Sequence, residues 1–162
     1  MAAIRSDPVL VFAYGNPSRG DDALGPLLVA RLERSRDAGR LQGVDLLTDF
    51  QLQVEHALDL VGRETVIFVD ASASGIEPFA FGPVAAERDV SYTMSPGAVL
   101  QVFRQTTGQE PPPSWLLAVR GYEFGLGEPV SRRAQNNLDA AEAYLLDRLS
   151  GNPNDTHDPG IA

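Results

Sequence analysis

The sequence predicts an α/β protein, a three-layer α/β/α sandwich built on a mostly parallel central sheet. Two short, unbroken apolar runs, Val9-Leu10-Val11-Phe12-Ala13-Tyr14 and Val66-Ile67-Phe68-Val69, read as strands buried on both faces. Other stretches carry apolar residues at every third or fourth position, the period of a helix with one buried side. Strands and helices therefore alternate, which places parallel strands in one layer and helices on both of its faces. A chain of 162 residues is the usual size of one such unit, and no internal repeat marks a second. The expected domain covers residues 1–151.

Each element has a local reason. The first strand, Val9 to Tyr14, is stopped and turned by Gly15-Asn16-Pro17. From Ala23 onward Leu24, Leu27, Leu28 and Leu32 recur at helical spacing, so Asp21 and Asp22 fall at a helix's first turn. Gly43 precedes a second strand, Val44 to Thr48, and Leu52 to Leu60 carries a short helix on the spacing of Val54, Leu58 and Val61. The third strand, Val66 to Val69, ends at Asp70, and Ala71 to Gly75 is a small-residue loop. Phe79 to Val90 reads as a hairpin broken at Gly82-Pro83. Ser95-Pro96 opens the next helix with a hydroxyl cap and a proline at the first helical position, above a stripe of Val99, Val102 and Phe103. Glu110-Pro111-Pro112-Pro113 stiffly delivers the chain to the last strand, Trp115 to Val119. Ser131 caps a long final helix with Leu138, Ala141, Leu145 and Leu149 on one face, and Gly151 ends it. Residues 152–162 have no apolar periodicity and are expected to form a disordered tail.

Composition closes several functional routes. The absence of cysteine removes disulfides, thiolate metal sites and a cysteine nucleophile, so any metal ligand is oxygen or imidazole. A net charge of −9, a pI near 4.6 and no Lys/Arg run argue against nucleic acid. No apolar stretch approaches the ~20 residues of a membrane span, and no basic-then-apolar leader is visible, so a cytoplasmic location is expected. Ser18, Ser72, Ser74 and Ser95 lack the Gly-x-Ser-x-Gly setting of a hydrolase nucleophile.

The chemistry concentrates on aspartates. Ligands of open α/β sheets bind outside the carboxyl ends of the strands, and both Asp21-Asp22 and Asp70 stand at such ends. Capping of a helix N-terminus accounts for one aspartate of the pair, but not for two together with Asp70. Two carboxylates on one rim form a natural place for a hard or borderline cation. Gly15, Asn16, Gly20 and Gly25 shape the intervening loop.

The segment Gly15-Asn16-Pro17-Ser18-Arg19-Gly20-Asp21-Asp22-Ala23-Leu24-Gly25 resembles the Gly-Asn, then Asp-Asp or Asp-Glu, then Gly signature of the nickel-iron hydrogenase maturation endopeptidases. The resemblance continues at Asp70, at Leu52-Gln53-Val54-Glu55-His56-Ala57, and at Arg120-Gly121-Tyr122-Glu123-Phe124-Gly125-Leu126-Gly127-Glu128-Pro129. The last two segments look like the branch serving multisubunit, cofactor-linked cytoplasmic hydrogenases. The order of elements follows the family from Pro8 to Leu149. The resemblance implies an endopeptidase whose partner is a hydrogenase large-subunit precursor with a C-terminal extension. It further implies that Asp22 and Asp70 reach nickel already bound to that substrate, so the metal arrives with the substrate rather than as a resident cofactor. Asn16, Asp21, Gln51 and Glu55 are then the residues expected to meet the substrate chain.

The chain departs from the family at one position. The family's third ligand is a histidine in the loop leading to the Ser-Pro helix, and here that stretch reads Ser91-Tyr92-Thr93-Met94-Ser95-Pro96-Gly97-Ala98. The chain's histidines are His56 and His157, and His56 is the one placed on the expected rim, so it is the candidate replacement ligand beside Asp22 and Asp70. Its alternative role is a helix residue bonded to a neighbour such as Glu55 or Asp59. Tyr92 and Met94 are weaker substitutes. Rival readings are an inactive homologue that binds the precursor without cutting it, a magnesium-dependent hydrolase, and a flavodoxin-like ligand-binding domain. The last lacks G-x-G-x-x-G spacing, and Asp21-Asp22 would repel a phosphate.

Overall fold

The computed structural model describes residues 7–88 and 94–151. The expected tail over 152–162, the end of the predicted hairpin and Tyr92 lie outside the described residues. The strands β1 (Val9–Tyr14), β2 (Val44–Asp49), β3 (Thr65–Ser72), β4 (Phe79–Val84) and β5 (Ser114–Arg120) form one sheet in the order β2-β1-β3-β5-β4. The first three and β5 run parallel, and β4 lies antiparallel at the edge beside β5.

Alternation along the strands divides the core in two. Val11, Ala13, Ile67, Val69, Leu117 and Val119 point to the layer of α1 (Leu24–Asp37) and α3 (Arg132–Ser150), where they meet Leu28, Leu32, Leu138 and Leu145. Leu10, Phe12, Val66 and Phe68 point the other way, onto Leu60, Val99, Leu100 and Phe103 of the second layer. That layer consists of the 3-10 helix Val54–Leu60 and α2 (Pro96–Thr107). The three-layer α/β/α arrangement follows. Ser95 and Ser131 cap α2 and α3 as expected, accepting the N–H groups of Ala98 and Ala134.

Three elements differ from expectation, each for a physical reason. Strand β3 continues past Val69 because β5 keeps pairing with it as far as Ser72 opposite Arg120, so Asp70 lies within the strand instead of after it. The hairpin expected over Phe79 to Val90 is replaced, within the described residues, by the single strand β4 running straight through Gly82-Pro83. An edge position tolerates a proline that cannot donate to a ladder. The helix after Leu52 is 3-10, with a period near three, so it buries Ala57 and Leu60 and leaves Val54, Leu58 and Val61 exposed.

The strand order carries the functional consequence. The chain leaves β1 to one side for β2 and then crosses to the other side for β3, which makes the β1–β3 boundary a topological switch point. Crevices at such points are where open α/β sheets bind their ligands.

Candidate functional site

One row of side chains crosses the carboxyl end of the sheet on the α2 face. Asp49 of β2 stands beside Tyr14 of β1. The β1–β3 register pairs Ala13 with Val69, so the next step brings Tyr14 beside Asp70. Asp70 pairs with Ala118 of β5, and Ala118 pairs with Ala80 of β4. All five share the face of Phe12 and Phe68, two residues before Tyr14 and Asp70.

The switch point itself holds two carboxylates. Burial, helped by the charge of Asp22, pushes the Asp70 carboxyl up to about 6, against the Ala71 N–H and the Tyr14 hydroxyl, which favour the ionised form. The Tyr14 hydroxyl is itself pushed upward by burial and by the Asp70 charge. Asp22 is held in place through its loop: its Oδ2 accepts the Asn16 N–H at 2.7 Å. Gly15 makes that approach feasible, because its φ is +153° and a Cβ there would stand 2.1 Å from the Asp22 carbonyl oxygen. The loop between β1 and α1 thus aims Asp22 at the neighbourhood of Asp70.

Asp21 has a different role from the one expected. Its carboxylate is fully buried and accepts the N–H groups of Tyr122, Glu123 and Ser131 together with the Ser131 hydroxyl, at 2.7 to 3.0 Å. Burial disfavours its charge, but these bonds outweigh that and hold its carboxyl below the usual carboxylate range. A carboxylate spent in this way is not free for substrate. It ties the Gly20–Ala23 turn to the segment that follows β5, which explains two acidic residues in succession: one faces inward and one faces the site.

The remaining expected residues divide. His56 is not gathered with Asp22 and Asp70, and among the described residues no group of three or more His, Asp or Glu side chains is placed to hold a metal ion. Its Nδ1 accepts the Gln53 N–H at 2.8 Å, which leaves the proton on Nε2, bonded to Asp49 at 3.0 Å, and its ring lies 4.5 Å from that of Phe12. Both nitrogens are therefore occupied. The partner is Asp49, neither Glu55 nor Asp59. Asn16 uses its side-chain oxygen on the Ser18 N–H, closing the loop's turn. Gln51 and Glu55 are exposed, and Glu55 lines a groove between the 3-10 helix and α2 with Leu58 and Phe103. Met94 packs against the apolar core of the α2 layer.

Tyr14 and Asp49 are not among the residues the sequence singles out. Asp49 was within reach, because it ends β2 as Asp70 approaches the end of β3. Tyr14 closes an apolar run, where it reads as one more strand residue, and gains significance only from the register with β3.

No protein-family model and no curated protein matches the chain. Among solved structures, the NiFe hydrogenase maturation protease HycI from Thermococcus kodakarensis KOD1 aligns with a TM-score of 0.68 at 20% identity, over 90% of this chain and 94% of its own. The hydrogenase maturating endopeptidase HybD from E. coli gives 0.67 at 22% identity, over 87% and 91% of the two chains. The hydrogenase 2 maturation peptidase from Thaumarchaeota archaeon SCGC_AB-539-E09 gives 0.60 at 22% identity, over 87% and 97%. At these identities the likeness is one of fold, and it spans nearly the whole of each chain.

Proposed function

We propose that this protein is a hydrogenase maturation endopeptidase, removing the C-terminal extension of a nickel-loaded hydrogenase large-subunit precursor in the cytoplasm. The observation that carries the reading is the pairing of Asp22 and Asp70 at the switch point of a fold shared with proteases of that kind. Two carboxylates close enough for one to raise the other's proton affinity are relieved by an arriving cation. The chain offers these two oxygen ligands, no cysteine, and a His56 that is already bonded on both sides. Such a set suits a metal that brings ligands of its own, which is the condition of nickel held in a substrate.

In this reading Asp22 and Asp70 are the catalytic residues in the sense of touching the substrate's metal. Nickel in that position supplies Lewis acidity toward a carbonyl or a water molecule. The protein's part is positional: the Asn16 N–H fixes Asp22, and the Ala71 N–H and the Tyr14 hydroxyl orient Asp70. Hydrolysis adds water across the scissile amide, giving a carboxylate on the mature subunit and an amine on the released extension. Gln51 and Glu55, exposed beside the end of β2, are assigned to contact with the substrate body, and no nucleic acid or membrane enters the reaction. No helix among the described residues is long and apolar enough to cross a membrane.

Incubation with nickel-loaded precursor, followed by intact mass, tests the reading: loss of the extension is expected, and an unchanged mass refutes it. A second reading, a precursor-binding homologue that does not cut, is favoured by the departure from the family at the loop before α2, whose sequence Ser91 to Ala98 contains no histidine. It is recognised in the same experiment by a stable complex with an intact precursor.

A further inference from the structure

The row at the carboxyl end of the sheet is uneven. On the β2 side of Asp70 it is filled by Tyr14 and by Asp49 with its bonded His56. On the other side it continues as Ala118 and Ala80, whose side chains end at Cβ. The space above them is a groove of about 390 Å³, floored by Ala80, Gly82, Leu116 and Ala118 and walled by Glu87 and Pro96. Its floor begins at the strand position paired with Asp70 and ends at the edge strand β4. Crossing from β3 over β5 to β4 takes two strand spacings, about 10 Å. Three residues of extended chain cover about 10 Å as well.

We infer that this groove holds the substrate segment adjoining the scissile bond, about three residues in extended conformation, running from Asp70 toward β4. The inference rests on the endopeptidase reading, which requires a length of polypeptide to lie beside Asp70. Continuity with Asp70 selects this occupant, and so do the larger Tyr14 and Asp49 side chains that take up the opposite side of the row. Ala80, Gly82 and Ala118 are then specificity-determining residues: by being small they leave the depth a polypeptide backbone needs.

Gly82 allows a test that leaves the fold alone. A Cβ built there meets no atom within 4 Å, so a side chain added at this position starts out in the open space of the groove. Cleavage of nickel-loaded precursor is measured for wild type, Gly82→Leu and Ala118→Leu, with thermal melts of each. The expected result is a KM raised at least tenfold in Gly82→Leu at an unchanged melting temperature, with Ala118→Leu changing in the same direction. Wild-type cleavage together with a wild-type KM in a folded Gly82→Leu protein overturns the groove and leaves the endopeptidase reading standing. Failure of the wild type to cut overturns that reading, and the groove assignment falls with it.

Discussion

Burial raises the proton affinity of Asp70, and Asp22 raises it further, so the native protein binds this proton more tightly than the unfolded chain does. The resulting stability is complete below about pH 4 and is lost as pH rises through about 6. At neutral pH an ionised Asp70 therefore costs the fold on the order of 2–3 kcal/mol. Asp70→Asn is expected to abolish processing yet to melt higher than wild type at pH 7.5, with the gap closing by pH 4. A lower melting temperature at pH 7.5 would make Asp70 a structural residue. Asp21 has the opposite sign: its carboxyl is depressed, so its contribution is present above the ordinary carboxylate range and is lost as pH falls. Asp21→Asn presents an amide to donors that need an acceptor, and a loss of about 2–4 kcal/mol at pH 7 is expected in denaturant melts. His56→Ala loses bonds to Asp49 and Gln53 and should cost about 1–2 kcal/mol while processing continues. Loss of processing without loss of stability would return His56 to the list of ligands.

Elements were legible in the sequence wherever one local rule decided them. Val9 to Tyr14 is a strand end to end because both of its faces are covered, and Ser95-Pro96 and Ser131 begin helices because hydroxyl caps satisfy free N–H groups. Gly82-Pro83 reads as a break because it interrupts most structures, whereas at a sheet edge it breaks nothing. Asp22 and Asp70 were legible as residues near strand ends. Their alignment with Tyr14, Asp49 and Ala118 was not, because it depends on the register of strands far apart in the chain. The same contrast predicts the behaviour of the β1–α1 loop. Gly15→Ala forces a Cβ into the Asp22 carbonyl, so the turn has to move and Asp22 leaves its place beside Asp70. Processing should be lost, and the melting temperature should fall by several degrees. A Gly15→Ala protein that cuts normally would show that Asp22 needs no such precision.

At the scale of the molecule, the α/β/α order was legible from alternation, and the site's position follows from it, since β1 and β3 part the sheet at the switch point. What alternation does not specify is how many ligands reach that point. Among the described residues two carboxylates stand there, Asp22 and Asp70, while His56 is turned to Asp49 and the sequence of the loop that leads to α2 contains no histidine. Two carboxylates without a soft or imidazole partner bind a free divalent ion weakly and can still complete the shell of one already held by other ligands. Nickel salt titrated into the protein alone should therefore produce little heat. Nickel-loaded precursor should be cut without added metal, whereas nickel-free precursor should stay intact even after the protein has been soaked in nickel, because the ion has to sit in the substrate to present its neighbouring amide to Asp22 and Asp70. Cleavage of the nickel-free precursor would mean that the aspartate pair acts without reading the metal, and the recognition role assigned to it would have to be abandoned.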